Sequence, residues 1–295
     1  MSEASTSSFL NTRTSYDYLY QAAIEIIGRT KALTNTQTIT TVAGQANYNL
    51  NSDFLDVYLT DSQNLKIIKI NDGTSDSFLS FRDYAALTLA NNTTSTPIPY
   101  NFSIIDAPMV SRLTGTATSV GAASNGECTL TDTAADFTNV FAGDIIHNIT
   151  DASDGVVIAK TSTTALVTAL FEGSGNDWAS SDSYVIVPQG RYRLVVDPPP
   201  SVAGYTITVK YVQLPDPVYS LYGSYGLPAQ FRTALASYAA FLYKYSDREP
   251  MFGDALYKVY DNAVRRAAGI TNDALRRKGF SVNLLKRANR YGSYR

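Results

Sequence analysis

Histidine and cysteine are among the side chains most often used as a general base, a nucleophile or a metal ligand, and each occurs once in this sequence, as His147 and Cys128. A Ser-His-Asp or Cys-His arrangement would have to use His147. A zinc site needs about four Cys, His or carboxylate ligands, and the chain lacks a usable set. We expect His147 to occupy a surface or ladder position on a short strand, and Cys128 to be a small core residue.

The sequence also contains no clear motif for phosphate binding or for catalysis by carboxylates. The stretch 121–126 contains glycines but lacks the Lys-Ser/Thr pair that follows them in a P-loop. The five glutamates are scattered, and nothing in the sequence points to a carboxylate pair for glycoside hydrolysis. Segment 71–76 resembles a calcium loop only loosely, because the distal Glu is missing, so a hairpin turn is the favoured interpretation. We therefore expect a protein that is not an enzyme and that holds no cofactor or metal.

The charge distribution is strongly uneven along the chain. The last 31 residues contain nine Lys and Arg against the single acid Asp273, a local balance of +8, whereas residues 1–264 carry a formal charge of −10. Basic arms of this kind bind nucleic acid or acidic protein surfaces. Because Phe280, Leu284 and Leu285 alternate with the bases, we expect the arm to bind a partner. The acidic body weakens the case for a DNA-binding domain.

Composition limits the class of protein. The chain has 295 residues, of which 44% are hydrophobic and only 17% charged, with 21 tyrosines. A low surface charge is tolerated in a subunit that is buried in a larger assembly. With one cysteine we expect no internal disulfide. We also expect no signal peptide, since the N-terminus is polar, and no membrane span, since no apolar run approaches 18 residues.

Periodicity predicts the elements that would position a binding surface. Apolar residues at helical spacing predict a helix over 15–33, and period-two segments predict strands between 36 and 110. Residues 113–188 are rich in small residues and turns, which predicts an inserted β-barrel or sandwich. The alternation over 205–212 predicts a long strand with one buried face.

A helical hairpin is predicted near the end of the chain. Leu227-Pro228 and Pro250 each mark a helix start, and the connection between the two helices is short. Three tyrosines precede the hairpin, Tyr219, Tyr222 and Tyr225. They could form a subunit interface, where tyrosine is enriched, or belong to a loop that folds back on its own core; the sequence leaves both interpretations open.

The order of these elements, together with several local motifs, resembles a known family. The motifs are Gly44-Gln45-x-x-Tyr48-x-Leu50-x-x-Asp53-Phe54-Leu55, Asp197-Pro198-Pro199, and the Leu227-Pro228 hairpin with Asp247-Arg248-Glu249-Pro250. Over about 15–110 and 190–268 the chain resembles the head-to-tail adaptor proteins of tailed bacteriophages, also called connector, neck or head-completion proteins. The segment 113–188 is not part of the shared pattern and looks like a decoration domain.

The resemblance implies a structural role in the virion neck, with assembly in the host cytoplasm. Such adaptors form a homo-oligomeric ring, commonly of twelve subunits, that joins the portal protein to a tail, nozzle or tail-terminator protein. Viral DNA passes through the ring without specific binding, and no membrane is involved. The C-terminal arm is implied to dock on the portal. The arm residues that we expect at the portal are Arg276, Arg277, Lys278, Phe280, Leu284, Leu285, Lys286, Arg287 and Arg290.

We therefore predict an α+β fold, with a helical bundle made of the N-terminal helix and the C-terminal hairpin, an antiparallel β-sheet region, an inserted small β-barrel or sandwich, and an extended C-terminal arm. The predicted domains are an adaptor core over 1–112 and 189–269, an insert over 113–188, and the arm over 270–295. The alternative function is a phage tail or adhesion protein with a carbohydrate-binding β-domain. Trp178 would serve that function only if exposed, and a core position is the favoured interpretation.

Overall fold

The computed structural model describes residues 11–60, 65–90, 95–220 and 223–268. Regular structure in these ranges is dominated by strands. The strands are β1 Thr34–Thr40, β2 Asn47–Asn49, β3 Phe54–Val57, β4 Leu59–Thr60, β5 Leu65–Asn71, β6 Asp76–Phe81, β7 Asn101–Asp106, β8 Leu113–Thr116, β9 Cys128–Thr131, β10 Ile145–Asn148, β11 Ser153–Ser162, β12 Ala165–Phe171, β13 Ser183–Val187, β14 Tyr192–Asp197 and β15 Thr206–Gln213.

Helices form a smaller part of the described chain. The helices are α1 Thr12–Thr30, α2 Tyr84–Ala90, α3 Arg232–Ser246 and α4 over 250–268, and a 3-10 turn covers Ala229–Phe231.

The fold class predicted from the sequence, an α+β protein built on a helical bundle with a small inserted barrel, is wrong. The protein is mostly β, with two curled sheets and few helices. The helical stretches have strong periodicity, so they dominated the interpretation of the sequence. The strands are short and polar, as in TNTQTIT of β1, and their number and pairing are not visible in any local window.

The larger sheet has nine strands in the described residues. Its order is β1-β15-β5-β6-β7-β14-β2, with β3 also paired to β15 and β4 to β5. All pairs are antiparallel except β6 with β7. On β15 the residues Ile207, Val209 and Tyr211 are fully buried and share one face, so the predicted alternation holds over 206–211, and Val212 on the other face is buried as well.

The six-stranded sheet has the order β8-β13-β10-β11-β12-β9, and every pair in it is antiparallel. Trp178 lies fully buried in its core, and its indole N–H donates to the Thr168 hydroxyl at 2.9 Å. Tyr184 packs edge-on against Trp178 and donates its hydroxyl to Asp132 at 2.7 Å. The single tryptophan is therefore a core residue with a satisfied polar group, as favoured from the sequence.

A buried ion pair fixes the segments that join the two sheets. The Asp144 side chain accepts hydrogen bonds from the Arg191 guanidinium at 2.8 and 3.1 Å, and from the backbone N–H groups of Phe141 and Gln189, both at 2.9 Å. The Arg191 guanidinium also lies 4.2 Å from the centre of the Phe141 ring. Ala107, in the other joining segment, donates its N–H to the Arg191 carbonyl at 2.7 Å. Entry to and exit from the six-stranded sheet are thus tied together at one point.

Removal of one partner from this pair should destabilise the sheets strongly. Asp144→Ala removes the carboxylate from a guanidinium that is only 13% exposed and leaves two backbone donors without an acceptor, while the bond from Arg191 to the Asn139 carbonyl at 3.0 Å remains. We expect the free energy of unfolding to fall by about 3–5 kcal/mol, the usual cost of an unpaired buried charge. Urea unfolding followed by Trp178 fluorescence would measure this loss. Asp106→Ala, at an exposed acid on β7, should change it by less than about 0.5 kcal/mol; equal effects of the two variants would contradict the role of the pair.

Candidate subunit interface

The described chain divides into two compact units, one made of 11–30 with 227–268 and one made of the described residues between 31 and 226. The first unit contains α1, α3 and α4. Helix α1 begins three residues earlier than predicted and ends at Thr30. Helix α4 begins at Pro250 as predicted, since proline fits the first turn of a helix without loss of a hydrogen bond. The predicted division into adaptor core, insert and arm stays a prediction.

A cluster of aromatic rings holds α3 against α4. Helix α3 contributes Tyr238, Phe241 and Tyr245 at spacings of three and four residues, and α4 contributes Tyr257 and Tyr260. The ring centres of Tyr238 and Tyr260 are 4.7 Å apart and those of Phe241 and Tyr257 are 5.2 Å apart. Residue numbers rise along one helix as they fall along the other, so the pair is an antiparallel hairpin. Tilted ring pairs at these distances stabilise beyond simple burial.

Helix α1 is tied to α4 through charge and ring contacts. Arg29 donates to Asp261 at 2.8 Å, and its guanidinium lies 5.4 Å from the centre of the Tyr260 ring. The hydrogen bond from Arg29 lowers the pKa of Asp261. Burial raises the pKa of Tyr260 to about 12, because the phenolate would lose its hydration. The ring of Tyr260 is therefore held neutral inside the unit.

Helix α4 has a second apolar face that its own unit leaves exposed. The residues buried within the unit are Gly253, Tyr260, Val264 and Ala267. A different side of the helix carries Met251, Phe252, Ala255 and Val259, which we call the outer stripe. Met251 is 79% exposed, Phe252 59% and Val259 48%. Large apolar side chains grouped on an exposed helix face are typical of a surface that binds protein.

The outer stripe was not identified from the sequence, although its spacing is visible there. Phe252, Ala255 and Val259 follow steps of three and four residues, the pattern of one helix face. The signal that was overlooked is that apolar residues occupy two separate sides of the same helix.

A charged ridge adjoins the outer stripe. Arg265 pairs with Asp261 at 2.8 Å, one helical turn apart. Asp254 accepts a hydrogen bond from the Tyr245 hydroxyl at 2.9 Å. The ridge carries both signs of charge, which is suited to fixing the register of a helix that packs against the stripe.

The residues that the sequence predicted at interfaces are three tyrosines and the basic arm. Tyr219 is buried, with its ring 5.8 Å from that of Phe171, so little of it is available to another subunit. Tyr225 is half-buried and donates its hydroxyl to the Val218 carbonyl at 3.4 Å. Tyr222 and every portal-binding residue predicted in the arm lie outside the described residues.

The two residues considered for catalysis have ordinary surroundings. His147 pairs with Asp154, its neighbour across β10 and β11, with Nδ1 at 2.5 Å from Oδ1. Cys128 is buried beside Thr168, and burial raises the pKa of its thiol to about 11, so it is a poor nucleophile at neutral pH. In the described ranges, no three His, Cys, Asp or Glu residues are placed to share a metal ion. The described helices also include none with the length and apolar character needed to cross a membrane.

The raised pKa of Tyr260 predicts that the helical unit loses stability at alkaline pH. The folded state holds this proton more tightly than the unfolded state, whose tyrosine titrates near pH 10. The resulting stability is complete below pH 10 and is lost as the pH rises towards 12. Thermal unfolding followed by circular dichroism at 222 nm should show this loss.

Tyr260→Phe has no proton to lose, so it should reduce the dependence of stability on pH between 10 and 12. Tyr100→Phe, at a ring that is 49% exposed in the other unit, should retain the wild-type dependence. An unchanged slope in Tyr260→Phe would contradict the assignment.

Comparison with known proteins gives little further guidance. No protein-family model matches the chain, and no curated protein matches it. Among solved structures the chain is similar to the phage phi92 endosialidase, with 11% identity and a TM-score of 0.25. The match covers 58% of this chain and 32% of that chain, so this chain spans about a third of that protein's length. A similarity this low carries no argument about fold or function.

Proposed function

We propose that this protein is a structural subunit of a phage neck, which forms a ring between the portal vertex of the capsid and the tail. The observation that supports this proposal most directly is the outer stripe of α4. A subunit of a ring must present apolar surface that is exposed in the single chain and buried in the assembly. The outer stripe, Met251, Phe252, Ala255 and Val259, has this property.

A closed ring places specific demands on its interfaces. Each subunit must use one surface for the neighbour on one side and a different surface for the other neighbour. Helix α4 meets the first demand with a stripe about two turns long and a ridge of mixed charge beside it. Because the hairpin is already held together by its aromatic cluster, the outer stripe can contact a neighbour without unfolding the unit.

The basic arm supplies the second part of the proposal. It follows α4 in the sequence, and the seven bases and single acid of 270–295 contrast with the acidic body. In the proposed neck, Phe280, Leu284 and Leu285 seat the arm on the portal, and its bases pair with acidic groups there. The acidic body would line a channel along which viral DNA slides without binding. These roles rest on the sequence and on the family resemblance.

The alternative function, adhesion through a carbohydrate-binding β-domain, loses one of its expected supports. Trp178 is fully buried in the six-stranded sheet and offers no ring to a sugar. The outer strands of that sheet, β8 and β9, contain no aromatic ring that could replace it. The ring subunit is therefore the function that we favour.

The ring proposal is tested by reconstitution with the portal protein of the same phage, followed by sedimentation velocity and cryo-electron microscopy. The wild-type chain should form a ring of copies beneath the portal. The double variant Phe252→Glu, Val259→Glu should fail to form the ring, because each glutamate would be buried without a partner. Deletion of 270–295 should abolish portal binding and leave the circular dichroism spectrum of the folded units in place.

A matched control distinguishes disruption of the outer stripe from a general effect of added negative charge. Thr233→Glu adds a negative charge at an exposed position in the first turn of α3 and should assemble as the wild type does. If the double variant formed the same ring, the outer stripe would not be the interface. If copies instead sat on peripheral fibres, or no complex formed, the neck function would be wrong.

A further inference from the structure

A cleft of about 660 Å³ opens within residues 31–226, where the larger sheet meets the segments that lead to the six-stranded sheet. Its walls come from four parts of the chain, namely 49–53, 107–110, 139–141 and 189–193, with Gln37 at one side. The volume is in the range of sites that bind small molecules. None of these residues belongs to the helical unit, so the cleft is separate from the outer stripe.

Arg193 gives the cleft its distinctive charge. It is the second residue of β14, opposite Asn49 of β2 on one side and Ile105 of β7 on the other. Its Nε atom is buried, and no described atom accepts a hydrogen bond from it. A buried guanidinium N–H without an acceptor is unfavourable, and a negative charge held from the cleft at the terminal nitrogens of the same guanidinium would offset that cost.

The other charged groups in the lining are already engaged. Arg191 is paired with Asp144 and lies over the ring of Phe141. Asp53 accepts a hydrogen bond from the Tyr211 hydroxyl at 2.8 Å. The bond from a neutral hydroxyl leaves the negative charge of Asp53 in place, so both signs of charge line the cleft. Arg193 is the lining cation for which no carboxylate partner is found among the described residues, and it is the group that can pair with an anion.

In addition to Gln37, Asn51 and Ser52, the polar lining includes three exposed amide side chains, Asn49, Asn139 and Gln189. None of the three is hydrogen-bonded through its side chain to a described protein atom. An amide donates and accepts at once, which matches the paired donor and acceptor character of a sugar hydroxyl. Tyr192, whose ring is 39% exposed at the same wall, offers an aromatic surface.

We propose that this cleft binds an acidic saccharide, with its carboxylate at Arg193, its hydroxyl groups at the three amides and one sugar face against Tyr192. An extended peptide fits less well, because backbone groups along the walls are already paired. The Ala107 N–H bonds the Arg191 carbonyl at 2.7 Å, and the Leu50 N–H bonds the Tyr192 carbonyl at 3.1 Å. The proposal does not rest on ring assembly and applies equally to a single chain.

The test uses the full-length protein and two tetrasaccharides of equal length. One alternates glucuronic acid with N-acetylglucosamine, and the other is chitotetraose, which is neutral. Isothermal titration calorimetry should show binding of the acidic tetrasaccharide at least about tenfold tighter than of the neutral one, the size expected for one hydrogen-bonded charge. Arg193→Gln should remove this preference.

Two further variants keep the test decisive. Arg82→Gln removes an exposed arginine that does not line the cleft, and it should bind as the wild type does. The double variant Asn49→Ala, Gln189→Ala retains the charge of Arg193 and changes only exposed side chains. It should weaken binding of the acidic tetrasaccharide, so it tests the cleft even if Arg193→Gln fails to fold. Trp178 fluorescence and circular dichroism report folding in each case.

The proposal would be overturned by several results. These are equal binding of the two tetrasaccharides, absence of binding by either, or binding of the acidic tetrasaccharide that neither cleft variant weakens. A short poly-glutamate peptide that bound as tightly as the acidic tetrasaccharide would assign the cleft to an acidic peptide and contradict the saccharide. Failure here would leave the ring proposal intact, because that proposal depends on α4 and on the arm.

Discussion

The arrangement of the β unit depends on the buried pair between Asp144 and Arg191. Two sheets with separate cores have no shared apolar face to set their junction, so a directional contact is needed there. One carboxylate that accepts from a guanidinium and two backbone N–H groups supplies it, since each bond fixes a different segment. Because Arg191 precedes Tyr192 and Arg193 in β14, the same pair also positions the wall of the cleft.

The helical unit is organised by a different constraint. Its hairpin is held by a ladder of rings and by the contacts of Arg29 with Asp261 and Tyr260. Tyrosine suits this position because it combines a large apolar surface with a polar tip, and burial keeps that tip protonated. The inner face of α4 is thereby packed within the unit, whereas the apolar residues on its other side are exposed. This is the physical reason for regarding the outer stripe as a binding surface.

The sequence predicted individual elements better than their assembly. The β15 strand and the start of α4 at Pro250 follow from periodicity and proline chemistry, which act within a few residues. The larger sheet does not, because β15 pairs with β1, β3 and β5, which lie more than a hundred residues away. The fold class was therefore wrong even where its elements were located. The outer stripe could have been found from its spacing. The cleft could not, since four separated segments form it and Arg193 has no local signature.

The two surfaces differ in the physics that would make them functional. The outer stripe is apolar and non-directional, so its specificity must come from the neighbouring ridge of Asp261 and Arg265 and from the symmetry of the assembly. The cleft is polar, and its proposed specificity comes from the charge of Arg193 together with the amide side chains beside it. A surface of the first kind suits repeated contact between identical chains, whereas one of the second kind suits a discrete ligand. One chain can carry both surfaces because each compact unit packs its own core and leaves a different part of its surface exposed.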